Sequence, residues 1–251
     1  MGVKSFILKG TEFTDSGRFV NKFMSLERAL NLLNSKSIWF ANPSTWPDPY
    51  EKRFIIATYG SKKRFAWKDR VFCSCFTDNA TSEASWNAYS SKQDCIQFTF
   101  YRQALIDLLN AYQAANKNNQ VYFDPVEYMQ TKYIEKPLSK IPFDPPISPG
   151  IGIRSMEFKE RLLLLKRKAF EYENEFRAII VKPKTTKELG IQVPIPDIHT
   201  LIHEITIGPK VEKDTFEMIK GVLEHTYGFS SAVIKQSFLY KKLPNTIEIK
   251  M

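Results

Sequence analysis

The sequence predicts an α+β fold: a single domain over residues 1–251, with helices around a central mixed or mainly antiparallel sheet. Three observations lead to this fold class. Short apolar runs with β-type alternation recur along the chain, stretches with helical spacing separate them, and no break in composition divides the sequence. The hydrophobic fraction of 43% is ordinary for a globular protein and excludes a disordered or collagen-like chain.

The first half of the chain alternates between the two kinds of element. Ser25 can cap a helix over residues 26–35, because leucines follow it at helical spacing. Residues 42–51 contain closely spaced prolines, which predict an extended, turn-rich loop. A short helix is expected near 82–90. Short apolar runs predict strands at residues 37–40, 54–59, 70–77 and 95–101.

The second half begins with an apolar stripe that predicts a helix around 102–115. This helix opens a predicted helical insertion over residues 102–170, with further helices near 126–135 and 155–169. Five prolines within residues 137–149 exclude regular structure there, so we expect a loop or a flap over a pocket. The remaining elements are strands at 173–181, 203–207, 232–235 and 246–250 and a helix at 214–227.

The formal net charge of +9 favours binding to nucleic acid or to phosphate-bearing ligands, with a simple solubility charge as the alternative. The nearest basic stretches are Lys62–Arg70 and Arg161–Lys168. The three cysteines, an odd number without metal-site spacing, predict reduced thiols in a cytoplasmic protein and no bound metal. No apolar stretch approaches 18 residues, so no association with a membrane is expected.

The motif Glu173-Asn174-Glu175-Phe176-Arg177 is the sharpest chemical feature. In a strand, alternate residues share a face, so Glu173, Glu175 and Arg177 should lie together, opposite Phe176 and Ala178. Two carboxylates about 7 Å apart suit chemistry at a sugar carbon, where one stabilises positive charge and the other orients or deprotonates a nucleophile. The alternative is a solvated strand face with a Glu–Arg cross-link.

Other candidate ligand contacts are aromatic or lie in loops. Trp86 and Tyr89 share a helix face and could stack on a nicotinamide or a base, or could simply belong to the core. Ser74 could bind a ligand at a strand end or only cap a turn. Asp48 and Glu51 belong to a proline-rich loop that could position ligand contacts or merely turn the chain.

Taken in order, these motifs resemble a known family. The pieces are the loop Trp46–Glu51, the strand Phe72–Phe76 followed by Trp86 and Tyr89, the segment Lys168–Arg177, and the strand Ile202–Gly208. Together they are similar to the bacterial family called domain of unknown function 2971, some members of which are labelled abortive-infection proteins. The similarity spans roughly residues 20–240, and it rests on the order of the motifs.

A second resemblance, to the ADP-ribosyltransferase superfamily, implies an activity and its residues. It makes Glu175 the catalytic carboxylate that polarises the nicotinamide ribose, and Glu173 the residue that orients the acceptor. The middle motif would be Ser74 or Tyr89. An Arg or His normally holds NAD from the first strand of that superfamily, whereas residues 6–9 of this chain offer only Lys9, with Arg18 further on.

Two functions follow as hypotheses. The first is an NAD-dependent ADP-ribosyltransferase-like protein of phage defence or toxin type, with NAD as co-substrate and an unknown macromolecular acceptor. The alternative is a non-catalytic module that binds nucleic acid or a protein. Convergence of Glu175, Trp86, Tyr89 and Ser74 on one cleft would favour the enzyme, whereas a continuous basic surface would favour the module. The enzyme hypothesis also predicts that Glu175→Gln abolishes activity without disturbing the fold.

Overall fold

A computed structural model describes most of the chain. Described residues are 17–56, 58–59, 63–64, 69–80, 82–89, 94–136, 140–143 and 161–240, with side chains omitted at 53–56, 58–59 and 63–64. Lys9, most of the stretch 62–70 and the strand expected at 246–250 lie outside these ranges. Of the flap expected at 137–149, only residues 140–143 are described, and residues 141–143 form neither helix nor strand.

The described strands are β1 (Phe19–Ser25), β2 (Ser37–Ala41), β3 (Thr58–Tyr59), β4 (Lys63–Arg64), β5 (Val71–Thr77), β6 (Cys95–Tyr101), β7 (Gln120–Pro125), β8 (Glu127–Met129), β9 (Leu165–Arg167), β10 (Glu175–Val181), β11 (Gly190–Pro194), β12 (Ile202–Ile207) and β13 (Ile234–Gln236). The α-helices are α1 (Leu26–Ser35), α2 (Pro49–Ile56), α3 (Glu83–Tyr89), α4 (Arg102–Ala115), α5 (Thr131–Ile134), α6 (Ile198–Leu201) and α7 (Lys213–His225). Short 3-10 helices lie at Pro43–Thr45, Lys168–Glu173 and Ser231–Val233.

Nine of these strands form one sheet, in the order β11-β2-β5-β1-β6-β12-β13, with β10 paired to β5 and β7 paired to β10. The pairs are antiparallel except for the parallel pair β12–β13, so the sheet is mixed. The sheet contains the strands predicted near 37–40, 70–77, 95–101, 173–181 and 203–207, which confirms the α+β fold class. None of the described helices is both long and apolar enough to cross a bilayer.

The sheet branches at β5. One edge of β5 pairs with β10 along its whole length, whereas the other edge meets β2 at Cys73 and β1 at Thr77. Between these two points the chains separate, and Lys22 fills the gap by donating hydrogen bonds to the Ser74 hydroxyl (2.9 Å) and the Cys75 carbonyl (2.7 Å). At the branch point, Lys22 therefore satisfies one backbone carbonyl and one hydroxyl of β5.

The two faces of the sheet have different coverings. One face carries the main core, to which Phe98, Phe100, Ala178 and Ile180 contribute with α1, α4 and α7. On the other face, residues of β5, β7 and β10 pack against the segment that contains Leu163 and Leu164. The site described below lies on this second face.

Several predicted boundaries are wrong for identifiable reasons. Residues 54–59 are not one strand, because α2 extends to Ile56. The start of this helix is marked by Asp48, Pro49 and Glu51, with proline at the first helical position.

The predicted insertion 102–170 is helical only in part. α4 is confirmed, but β7 then joins the main sheet, and the helix expected to reach residue 169 gives way to β9 and a 3-10 helix.

Besides β7, two further strands of the main sheet were not predicted, β1 and β11. β1 reads Phe-Val-Asn-Lys-Phe-Met-Ser, in which polar residues occur on both faces. Its alternation is broken because Lys22 serves the branch point instead of the apolar core. β11 is short and lies at the edge of the sheet, beside β2.

Candidate active site

The register of three strands brings the motif residues together. Glu175 lies opposite Thr77 and Arg177 opposite Cys75 on β5, while Asp124 on β7 faces Arg177 from the other side. Directly paired residues share a face, so these side chains form one cluster. The predicted common face of Glu175 and Arg177 is confirmed. The solvated alternative is wrong, because Glu175 is 4% and Arg177 1% exposed.

The Arg177 guanidinium is the centre of the cluster. Its Nε donates to Glu175 Oε1 at 2.7 Å, its Nη1 donates to the Leu163 carbonyl, and its Nη2 pairs with Glu51 of α2. The Trp46 ring lies 4.5 Å from Cζ. The loop Trp46–Glu51 and the β10 motif, which are far apart in sequence, therefore meet around one buried cation.

Lys166 of β9 bridges the two carboxylates. Its Nζ lies 2.6 Å from Glu173 Oε2 and 2.9 Å from Glu175 Oε2. Burial alone would lower the pKa of Lys166, but Glu175, Glu51 and Glu173 outweigh it and raise that pKa. Sequence reasoning missed Lys166 and began the motif at Lys168, which is instead exposed and paired with Glu171.

The two glutamates have pKa values shifted in opposite directions. Burial would raise the pKa of Glu175, but Arg177 and Lys166 overcome this effect and hold it at about 2. Burial raises the pKa of Glu173, and the Lys166 ammonium offsets only part of that shift. Glu173 is also the more accessible group, with 20% of its side chain exposed. Glu175 is thus an anchor that stays charged at neutral pH, and Glu173 is suited to exchange a proton.

Further hydrogen bonds hold the backbone around the pair. The Glu175 amide donates to the Tyr128 hydroxyl at 2.7 Å, and the Thr77 hydroxyl donates to the Glu173 carbonyl at 2.5 Å. Burial raises the pKa of Tyr128 to about 12. Burial and Glu175 also raise the pKa of the Cys75 thiol, so Cys75 is not an activated nucleophile.

Tyr89 approaches this cluster, whereas Trp86 belongs to the core. The Tyr89 ring is 42% exposed and stacks on Phe23 at 6.4 Å. Burial raises the pKa of its hydroxyl, and the charges of Cys75, Glu175 and Glu173 add to that shift. Trp86 is 4% exposed and packs edge-on against Phe23, beside Cys95.

The remaining predicted contacts divide between the two sides of the sheet. Ser74 faces away from Glu175 and accepts the hydrogen bond from Lys22, whose pKa burial lowers to about 8. Asp48 lies on the site's side, where it accepts from the Tyr50 amide at 2.9 Å and pairs with Arg167 at 3.2 Å. It anchors the loop to β9.

The basic stretch Arg161–Lys168 does not form a surface. Arg161 pairs with Glu127 at 3.2 Å and is 4% exposed, and Lys166 and Arg167 are committed to the carboxylates described above. Lys168 alone of the basic residues here is largely exposed. This candidate stretch does not form a basic stripe, because the positive charges of Arg161, Lys166 and Arg167 pair with carboxylates inside the protein.

Within the described ranges, no group of three or more His, Cys, Asp or Glu side chains could hold a metal ion. Cys73, Cys75 and Cys95 are free thiols, as predicted.

Comparison with known proteins agrees with the family suggested by the motifs. Residues 85–178 match the family model described as "Protein of unknown function (DUF2971)". The matched stretch is less than half of the chain, but it runs from α3 into β10 and so contains Tyr89, Lys166, Glu173, Glu175 and Arg177. No curated protein matches the sequence.

Proposed function

We propose that this protein is an NAD-consuming enzyme that transfers ADP-ribose to a macromolecular acceptor, in a phage-defence or toxin role in the cytoplasm. The observation that carries the proposal is the pair Glu173 and Glu175, bridged by Lys166, with pKa values shifted in opposite directions. Environments that separate the pKa values of two neighbouring carboxylates are typical of sites that divide charge stabilisation and proton transfer between them.

The proposed transfer of ADP-ribose needs few further groups from the protein. The bond between the ribose C1′ and the nicotinamide nitrogen breaks, its electron pair stays on the nitrogen, and nicotinamide leaves as a neutral molecule. An oxygen or nitrogen atom of the acceptor forms the new bond to C1′, and its proton passes to Glu173. Around the developing positive charge, Glu51, Glu173 and Glu175 outnumber the cations Lys166 and Arg177, so the cluster has negative charge in excess.

NAD also carries a diphosphate, which needs a cation that is not already committed to a carboxylate. Lys166 and Arg177 are bound within the cluster. Arg18 is exposed, and its guanidinium lies 5.3 Å from the centre of the Phe19 ring, on the face of the sheet that carries Glu175. We assign the diphosphate to Arg18, with Lys9 as the further cation that the resemblance implies.

The test compares Glu173→Gln with Glu171→Gln, an exposed glutamate on the same 3-10 helix. We expect the first variant to release nicotinamide from NAD about a hundredfold more slowly or worse, and the second to match wild type. Both should melt close to wild type, because a raised pKa means that folding does not favour the charged form of Glu173. Equal release by wild type and Glu173→Gln, or none by wild type, would refute the assignment.

Nucleic-acid binding is the alternative proposal, and a protein partner belongs to the same non-catalytic class. Its support is the net charge of +9. The stretch Arg161–Lys168 contributes little to it, because most of its cations are paired inside the protein. Tight, salt-sensitive binding of DNA or RNA by a wild-type protein that leaves NAD intact would favour this function.

A further inference from the structure

A row of polar side chains crosses the sheet on the face that carries Glu175. Glu175 lies opposite Thr77, Thr77 opposite Asn21, Asn21 opposite Thr99, and Thr99 opposite Glu204. On the other face, the same strands contribute only to the apolar core around the row, apart from Lys22 and Ser74 at the branch point. A continuous polar row at the centre of a large sheet calls for a chemical reason, because burying polar groups is costly.

Two amides beside this row have unused hydrogen-bonding groups. Asn21 and Gln97 are each 2% exposed, and Gln97 Nε2 donates to Asn21 Oδ1 at 2.9 Å. Thr99 donates to the same oxygen at 2.8 Å. These bonds leave Asn21 Nδ2 and Gln97 Oε1 without a hydrogen-bond partner among the residues that the structure describes. Turning both amides over would again leave one donor and one acceptor.

We propose that Asn21 and Gln97 bind a primary carboxamide. The oxygen of the carboxamide accepts a hydrogen bond from Asn21 Nδ2, and the NH₂ group of the carboxamide donates one to Gln97 Oε1. One ligand group therefore satisfies the unused donor and the unused acceptor at the same time. A carboxylate in the same position would present a second acceptor to whichever amide offers its oxygen. The pair should therefore discriminate strongly between an amide and the corresponding acid.

The position of Asn21 and Gln97 in the sheet indicates which kind of molecule bears the carboxamide. Asn21 is two strands away from Glu175, which is about 10 Å at the usual spacing between strands. Tyr89 stacks on Phe23, the direct cross-strand partner of Gln97, and Glu175 and Glu173 lie close enough to raise the pKa of its hydroxyl. In the proposed complex, a flat ring that bears the carboxamide lies against Tyr89, between the amide pair and Glu173. This identification of the ring as the nicotinamide of NAD rests on the proposed function.

The first experiment uses the wild-type protein alone. Saturation-transfer NMR would measure the affinities of nicotinamide, benzamide and nicotinate. We expect nicotinamide and benzamide, which share the carboxamide, to bind at least about tenfold more tightly than nicotinate, which has a carboxylate in its place. Equal binding of nicotinamide and nicotinate, or no binding of either amide, would overturn the inference without any need for a variant.

The second experiment assigns the binding to Gln97. In Gln97→Met we expect nicotinamide to bind at least about tenfold more weakly. Gln113→Met is the matched control, because Gln113 is 4% exposed and its Oε1 also has no partner, but it lies on α4 away from the site. Equal losses in the two variants, or none in Gln97→Met, would overturn the assignment.

The two proposals can fail separately. Carboxamide-selective binding that depends on Gln97, in a protein that leaves NAD intact, would support the carboxamide site and refute the NAD-consuming enzyme. NAD cleavage by a protein that binds nicotinate as tightly as nicotinamide would refute only the carboxamide site.

Discussion

Replacement of Glu175 by glutamine tests how strongly the buried ion cluster contributes to the fold. Glutamine keeps the shape of the side chain and removes its charge, so it imitates the protonated glutamic acid. Arg177 and Lys166 would then each lose an anionic partner in a site where Glu175 is 4% exposed. The structure thus replaces the sequence-based expectation that this variant leaves the fold undisturbed.

The magnitude follows from the pKa of Glu175. Folding lowers it from 4.5 to about 2, and each unit is worth 1.36 kcal/mol, so the ionised form stabilises the protein by about 3 kcal/mol. Removal of one partner from a buried ion pair typically costs about 3–5 kcal/mol, which agrees. For a chain of this length, a loss of about 3 kcal/mol lowers the melting temperature by roughly 6–12 °C.

The sign of the pH dependence gives a second, independent check. Because the pKa is lower in the folded state, this stabilisation is fully present above pH 4.5 and is lost as the pH falls towards about 2. The free energies of unfolding of wild type and Glu175→Gln, measured with a chemical denaturant, should therefore differ at pH 7 and converge as the solution is acidified.

The exposed pair of Glu171 with Lys168 supplies the control for this measurement. Glu171→Gln should cost less than about 1 kcal/mol at neutral pH, because exposed ion pairs contribute little. If Glu175→Gln melted within about 2 °C of wild type at pH 7, or if the difference between them did not shrink in acid, the cluster would not stabilise the fold as we reason.

The remaining predictions concern the thiols and the core beneath Tyr89. Burial raises the pKa of all three cysteine thiols, so their alkylation by iodoacetamide at pH 8 should be slow in the native protein and fast in denaturant. Rapid alkylation of any thiol in the native protein would contradict this prediction. Trp86→Ala should cost about 3–5 kcal/mol of unfolding free energy, since the ring is 4% exposed and packs on Phe23; a loss below about 1 kcal/mol would show that Trp86 is not a core residue.

Local patterns were sufficient for much of the fold. Ser25 caps α1 as expected, since its side chain accepts from the Arg28 amide. The alternation in β6 and β10 correctly separates the residues of the main core from those on the other face. Such features are determined by residues a few positions apart, which is why periodicity and capping reveal them.

Other elements could not be predicted because distant residues determine them. β1 breaks its alternation because Lys22 satisfies polar groups of β5, more than fifty residues further along the chain. The helical spacing near residue 165 is overridden because Lys166 is held by Glu173 and Glu175. In both cases a buried charge and its partner decide the local conformation, and propensity does not.

The sequence by itself determined the fold class, the free thiols, and the placement of Glu175 and Arg177 on one strand face. Only the tertiary structure decided that this face is buried, that Lys166 and Glu51 complete it, and that the two glutamates differ in pKa. It also decided that Asn21 and Gln97 leave a donor and an acceptor unused. The reason is physical: pairing between strands depends on which segments become neighbours, and the energy of a charge or an amide depends on what surrounds it.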